Sequence, residues 1–327
     1  MSKIIYITRK IPEAGLKLLR DKKIEFDMGT SSTPPTKKEI IKQLKKKQYD
    51  GVISFLTDPI DKEVFDVCPN VKIFANFSVG FNNVDLEEAQ KRGIEVSNTP
   101  GTSATAVAEH TVAFMLTLTT RIDEGDRFMR KGKYKGWDPD LLIGTDLKGK
   151  TIGLIGVGQI GTEVAKILHY GFGSNIIYSD ICTNPTLEQI IGPTRKETAE
   201  VLREADIVSL HVPLLPSTQH LINKESLATM KKTAFLINTS RGAVIDEKAL
   251  VYALKNNVIK GAAIDVYEFE PKLSPGLSKL SNVVLTPHIA SARESARNLM
   301  AEIAAKNIIS VLENGKAINS VYPKSTC

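Results

Sequence analysis

The stretch Thr151–Gly161, "TIGLIGVGQIG", decides the fold. An apolar run of strand character (151–155) enters Gly156-Val157-Gly158-Gln159-Ile160-Gly161 and continues into the helical run "TEVAKILHYG" (162–171). Each glycine has its own reason. The first permits a tight turn, the second lets backbone amides approach a pyrophosphate, and the third lets the helix lie close to the strand. The helix N-terminus adds oriented N–H groups and partial positive charge, which suit an anion. A plain glycine turn between any strand and any helix is the simpler reading, and the motif alone does not exclude it. The next strand does: "NIIYSD" (175–180) ends on Asp180, 19 residues past Gly161, the offset at which an acid grips ribose hydroxyls. The spacing predicts a dinucleotide site. It favours NAD(H), because a 2′-phosphate would face the Asp180 carboxylate. Ile181 and Cys182 follow, with no arginine beside them; Arg195 and Lys196 lie further on.

Outward from this stretch, strand-like and helix-like segments alternate. Upstream lie "KIIYIT" (3–8), "GVISFL" (51–56), "VKIFAN" (71–76) and "GIEVSN" (93–98), with helical runs such as 12–21 and 85–92 between them. Downstream lie "ADIVSLHVP" (205–213), "TAFLINTS" (233–240), "KGAAIDVY" (260–267) and "NVVLTPH" (282–288). This alternation is the pattern of a parallel sheet covered on both faces. One long helical pattern at 104–131 separates the two series, and a last helix over 291–315 can return to the first. The expected fold is α/β, with two doubly wound parallel-sheet (Rossmann/flavodoxin-like) domains. Residues 1–100 with 289–327 form a substrate domain, and 101–288 form the inserted dinucleotide-binding domain. The 104–131 helix is apolar on more than one face, so it must be buried, and a homodimer is expected to cover it.

Composition narrows the classes. The formal net charge is +6, but much of the excess is lysine in "KKEIIKQLKKKQYD" (37–50), a solvated helix face without interleaved aromatic residues. No nucleic-acid module is legible. Three cysteines, none in a C-x-x-C pattern, support neither a disulfide framework nor a metal site. The start "MSKIIYITRK" is too short in apolar residues for a signal peptide, and no run reaches the ~18 apolar residues of a membrane span. A cytoplasmic protein without membrane contact is expected.

Ligands of such sheets bind beyond the carboxyl ends of the strands, and three charged or titratable residues stand there. Arg241 follows "FLINTS", Glu270 follows "AAIDVYEF" and His288 follows "VVLTP". Singly, they read as a salt bridge and a satisfied histidine. Beside a dinucleotide loop they read as a site. Hydride transfer to a carbonyl carbon leaves an oxygen that needs a proton, and histidine best supplies one near neutral pH. Glu270 would favour the imidazolium form. The forked, permanently charged Arg241 suits a 2-oxo acid.

The motifs "GLIGVGQIG", "ADIVSLHVPLLPSTQHLI", "KTAFLINTSRGAVIDEKAL", "AAIDVYEFEP" and "LTPHIASA" together resemble the D-isomer-specific 2-hydroxyacid dehydrogenases, over essentially the whole chain. Through "VGFNNVDLEEAQKRGIEVSNTP", "VAEHTVAFML" and "GWDPDLLIGTDLKGKTIG", the chain looks most like the glyoxylate/hydroxypyruvate reductases of that family. The resemblance implies an NAD cofactor and a small 2-oxo acid substrate. It makes Arg241 substrate-binding, Glu270 the partner that tunes the histidine, and His288 the general acid/base. It places Val212, Pro213 and Thr218 beside the adenosine and phosphates, Thr239 and Ser240 near the nicotinamide, and Asp265 against its carboxamide. It further implies that the amides of Ser78, Val79 and Gly80 hold the substrate carboxylate, that Leu56 lines the pocket, and that Trp137 reaches a partner subunit's site. Phosphite dehydrogenases of this family carry a lysine where this chain has Ser78, which argues against phosphite. D-lactate and other D-2-hydroxy acids stay open. So does a dinucleotide-sensing corepressor, although long disordered tails are not evident.

Overall fold

The computed structural model describes residues 3–322. The first part of the chain forms β1 (Ile4–Ile7), α1 (Glu13–Asp21), β2 (Glu25–Met28), α2 (Lys37–Leu44), β3 (Gly51–Ser54), α3 (Lys62–Asp66), β4 (Ile73–Asn76), α4 (Leu86–Lys91) and β5 (Glu95–Ser97). The middle forms α5 (Ala104–Thr120), α6 (Ile122–Arg130), β6 (Thr151–Ile155), α7 (Gln159–Phe172), β7 (Asn175–Ser179), α8 (Pro185–Ile191), β8 (Thr194–Arg195), α9 (Thr198–Glu204) and β9 (Ile207–Leu210). It continues with α10 (Lys224–Thr229), β10 (Phe235–Asn238), α11 (Glu247–Lys255), β11 (Gly261–Ile264) and β12 (Val283–Leu285), and α12 (Glu294–Asn314) closes the chain. Two compact units result: residues 1–103 with 292–327, and residues 104–291.

The first unit holds a parallel sheet of order β2-β1-β3-β4-β5, the flavodoxin-like order. Alternation sends Ile5, Ile7, Ile53 and Ile73 to one face, where they meet Met300, Ala301, Ala304 and Ile308 of α12. Tyr6, Val52 and Phe74 point to the other face, with Ile40, Leu44 and Val64. The capping box at Thr36 and Glu39 starts α2, which ends at Leu44, well short of the lysine-rich run read as helical to residue 50. The second unit holds a parallel sheet of order β12-β11-β10-β9-β6-β7-β8. Counted from β6, this is the dinucleotide-binding order with one strand added. It reverses between β6 and β9, and ligands of such sheets bind at that point.

Three elements differ from expectation. β2 and β8 were not foreseen: both are edge strands, one polar (EFDM) and one of two residues, so neither carries an apolar run. The single helix expected over 104–131 is two. Arg121 turns left-handed (φ 58°) and is held there by Glu124, with Nη2 to Oε2 at 2.6 Å. Nor does α5 wait for a partner to cover it, because Ala108, Val112, Phe114 and Met115 lie in the core of the second unit's sheet.

Candidate active site

In the second unit the glycine loop leaves β6 as its sequence requires. Gly156 has φ 94°, and a Cβ there would lie 2.8 Å from the His211 carbonyl. The chain can therefore cross the sheet's switch point only with glycine. A Cβ on Gly161 would lie 2.3 Å from the Gly156 oxygen, whereas one on Gly158 meets nothing within 4 Å. The space over Gly158, at the N-terminus of α7, is open to an anion. Gln159 and Ile160 form the first turn of that helix. Asp180 closes the loop from below: Oδ2 accepts from Val157 N–H at 2.7 Å, and Oδ1 from Cys182 N–H at 3.2 Å. Each carboxylate oxygen keeps a lone pair for a ribose hydroxyl. Asn184 ties down the other side, Nδ2 donating to Val157 O at 2.7 Å. After β9, Val212 and Pro213 lead into a turn that Thr218 fastens, its hydroxyl donating to Pro213 O at 2.6 Å. These residues fit a dinucleotide.

The next three strand ends carry the titratable groups. Beyond β10, the buried Asn238 shapes the turn. Its Oδ1 accepts from the Ser240 N–H and hydroxyl (3.0 and 2.8 Å), and its Nδ2 donates to Arg241 O at 2.9 Å. Thr239 reaches across to the hydroxyl of Thr111 at 2.9 Å. Gly242 follows, and its bare backbone runs along the next strand end: a Cβ would lie 1.9 Å from the carbonyl carbon of Tyr267. This contact brings the Arg241 turn against the Glu270 loop. Burial lowers the Arg241 guanidinium's pKa, against the opposing charge of Glu270.

Glu270 accepts from Tyr267 N–H at 3.0 Å through Oε1, and Oε2 lies 3.0 Å from His288 Nδ1. Burial pushes its carboxyl up. The hydrogen bond and charge of His288, the Tyr267 amide and the Arg241 charge outweigh that, so Glu270 sits below the usual carboxylate range. His288 itself turns left-handed (φ 54°), an uncommon conformation for a residue with a Cβ. The device that holds it is Asp265, at the end of β11 and wholly buried. Its Oδ1 accepts from the Thr286 hydroxyl (2.5 Å) and Ile289 N–H (2.8 Å), and its Oδ2 from Ala290 N–H (2.8 Å). Its carbonyl accepts from His288 N–H at 2.9 Å. Pinned this way, His288 turns Nδ1 to Glu270, and its Nε2 bonds no group among the described residues.

In the first unit, the Ser78–Gly80 loop follows β4. Asn76 Nδ2 donates to Ser78 Oγ and Gly80 O, both at 2.8 Å, and to Asn83 Oδ1 at 3.0 Å, while Ser78 Oγ also bonds Gly80 O. The amides of Val79 and Gly80 donate to no group among the described residues, as an anion-binding turn requires. Leu56 is half-buried after β3. Trp137 is 84 % exposed in the loop after α6.

Reading the sequence missed Asn238, Asn76 and Thr286, which shape the turns rather than meet a ligand. It also missed His110, whose Nε2 lies 3.2 Å from the Thr286 hydroxyl. A polar residue ending an apolar strand, as in "FLIN" and "IFAN", was the available signal.

Residues 112–290 match the family model for the NAD binding domain of the D-isomer specific 2-hydroxyacid dehydrogenases. A glyoxylate reductase from Thermofilum pendens is 48% identical over 314 residues, 94% of this chain and 91% of that one. A solved glyoxylate reductase from Paecilomyes thermophila superposes with TM-score 0.86 at 30% identity, covering 98% of each chain. An NADPH-dependent glyoxylate/hydroxypyruvate reductase from Sinorhizobium meliloti superposes at 0.83 with 29% identity, over 98% of this chain and 97% of that one. With its glycine loop, its buried carboxylate clamp and its Glu–His pair at successive strand ends, the chain belongs to the D-isomer specific 2-hydroxyacid dehydrogenases and uses NAD(H).

Proposed function

We propose that the protein reduces small 2-oxo acids to D-2-hydroxy acids, glyoxylate and hydroxypyruvate first, with His288 as proton donor. One observation carries this: His288 Nδ1 is 3.0 Å from Glu270 Oε2, on a turn that leaves Nε2 without a partner among the described residues. A bound nicotinamide would supply the hydride that the carbonyl carbon accepts. Protonated His288 donates from Nε2 to the carbonyl oxygen, while Glu270 stabilises the imidazolium until the proton leaves. Arg241 polarises the carbonyl and pairs with the substrate's negative charge. In the first unit, the unengaged amides of Val79 and Gly80 support a carboxylate-binding role for the Ser78–Gly80 loop, with Leu56 as apolar lining. Asp265 is first a positioning residue for His288, and its nicotinamide contact adds to that role. Thr239, Ser240, Val212, Pro213 and Thr218 keep the cofactor contacts expected of them. The names of the relatives support glyoxylate over D-lactate.

The test is NADH oxidation against glyoxylate, hydroxypyruvate, pyruvate and longer 2-oxo acids. Glyoxylate or hydroxypyruvate is expected to lead in kcat/KM. Absence of turnover with every member would favour a dinucleotide-sensing protein. His288→Asn is expected to lower kcat by about 10²–10⁴-fold, with NADH binding by fluorescence titration unchanged. Near wild-type turnover would remove His288 from the reaction.

A homodimer is part of the proposal, through α6 and the loop that follows it rather than through α5. Ile122 and Met129 of α6, and Tyr134, Trp137 and Ile143 of the loop after it, are 50–84 % exposed. Exposed apolar groups along one stretch of chain support an association surface, and with it a partner-directed role for Trp137. A cytoplasmic location goes with a diffusible nicotinamide cofactor.

A further inference from the structure

The loop after β11 carries a second histidine–glutamate pair beside the one already described. Glu268 Oε1 lies 2.7 Å from His220 Nε2, and Glu268 Oε2 accepts from the N–H of Glu247, the first residue of α11, at 3.2 Å. A carboxylate only accepts, so Nε2 carries the proton of the contact. The Glu268 side chain is 11 % exposed, so it depends on protein donors. His220, like His288, turns left-handed (φ 50°), and each histidine faces a glutamate of the same short loop. The neighbouring strand end fixes His220. Its N–H donates to Ala243 O at 2.9 Å, Ile222 N–H to Val244 O at 3.0 Å, and Asp246 N–H to Ile222 O at 2.8 Å. The segment before α10 is thus laced to the turn that follows Arg241, while the His220 ring reaches the other way, to Glu268.

We propose that His220 is a positioning residue for the reaction: by holding Glu268, it sets the loop that presents Glu270 to His288. The inference rests on the acid–base reading of the Glu270–His288 pair. Glu270 lies in no helix or strand, so the place of its carboxylate depends on what ties its loop down. The far end is tied to α11, where Ser274 N–H donates to Glu247 Oε2 at 2.8 Å. At the near end, Gly242 packs against the backbone of Tyr267 and Glu268. That contact limits how closely the loop can approach, but it does not stop the loop lifting away. The His220–Glu268 bond supplies the missing attraction, and a bond to a charged acceptor is the stronger kind. Without it, Glu268 would keep one amide donor, beside the carboxylates of Glu247 on α11 and Glu270 on its own loop. Repulsion would then favour a raised loop, and the 3.0 Å contact of Glu270 with His288 would be populated less. Sequence order hides the relation, because His220 and Glu268 stand 48 residues apart.

A cycle of variants tests this. His220→Asn keeps the left-handed turn, which asparagine adopts readily, and keeps the N–H to Ala243, but its amide stops one bond short of Glu268. His220→Gln spans as many bonds as the ring does to Nε2 and restores the donor. Steady-state NADH oxidation with glyoxylate, its pH profile and thermal unfolding are measured for each. His220→Asn is expected to lower kcat about tenfold, equivalent to about 1.4 kcal/mol. It should also move the alkaline limb to lower pH, the direction expected when Glu270 supports the imidazolium less. NADH affinity by fluorescence titration should not change, and His220→Gln should recover most of kcat. In a Glu270→Gln background no charge is left to position, so His220→Asn should there cost about twofold at most. Equal fold losses in the two backgrounds would overturn the proposal. So would an unmoved pH profile, a melting temperature that falls while kcat holds, or a His220→Gln variant no better than His220→Asn. Each would show that His220 only stabilises the unit. Wild-type kcat and pH profile in Glu270→Gln alone would instead sink the Glu–His reading, and this inference with it.

Discussion

Asp265→Asn is the most informative substitution. The carboxylate takes three bonds from the segment that carries His288: two on Oδ1, from Thr286 and Ile289, and one on Oδ2, from Ala290. Bonds to a charged acceptor contribute roughly 1.5–3 kcal/mol each. Asparagine keeps an oxygen for two of them, now neutral and about half as strong. Its amide then points N–H at the Ala290 N–H, so the third bond is lost to a donor–donor contact. Relief from burying an ion offsets part of this, leaving a net loss of about 2–4 kcal/mol. Holding His288 left-handed costs roughly 1–2 kcal/mol. The clamp exceeds the strain in the native chain, and the variant loses much of that margin. The turn should loosen, the His288–Glu270 contact should be populated less, and kcat should fall by up to about thirtyfold, the equivalent of 2 kcal/mol. The melting temperature should drop by about 2–4 °C per kcal/mol for a unit of this size. Steady-state NADH oxidation, thermal unfolding and fluorescence titration of NADH on one preparation decide it. If kcat and melting temperature both stay at wild-type values, the clamp is not what holds the histidine. A large loss of NADH affinity would show instead that the carboxamide contact dominates.

Other expectations are simpler. Glu270→Gln removes the charge facing His288, so the alkaline limb of the reduction profile should move to lower pH; a profile superimposable on wild type would count against the pair. The same carboxyl is held below its ordinary range, so its contribution to stability is present above the usual glutamate pKa and disappears as pH falls through its folded value. His211 is pushed down to about 4 by burial. The unfolded chain therefore binds its proton first, and stability should decline as pH falls from about 6.5 towards 4, by at most about 3 kcal/mol. Chemical denaturation across that range should show a flatter profile in His211→Gln, and an unchanged slope would refute this. Sedimentation should give a dimer of the 35.8 kDa chain, and Ile122→Glu with Met129→Glu should return it to monomer; a monomeric wild type would end the dimer reading.

The parts legible in the sequence share a property: they are fixed by local offset. The glycine loop, Asp180 and the residues following three strands announce themselves because each stands at a set distance from an apolar run. What stayed hidden depends on which strands are neighbours. Asp265 grips residues 21 to 25 positions away, a relation that exists only because β11 pairs with β12. His220 meets Glu268 at 2.7 Å across 48 residues for the same kind of reason. β2 and β8 escaped because one is a polar edge strand and the other has only two residues, so neither carries an apolar run. The break between α5 and α6 escaped because an arginine carries no mark of the left-handed turn it adopts.

Gly242 has a consequence for how this scaffold can change. Its backbone lies so close to Tyr267 and Glu268 that the Arg241 and Glu270 loops are geared together. Neither can be advanced or withdrawn without the other. A laboratory search for new substrates that randomises residues around Arg241 would mostly recover misassembled Glu–His pairs. If Leu56 and Val79 play the substrate role proposed for them, the productive library lies there, since neither side chain passes through that contact.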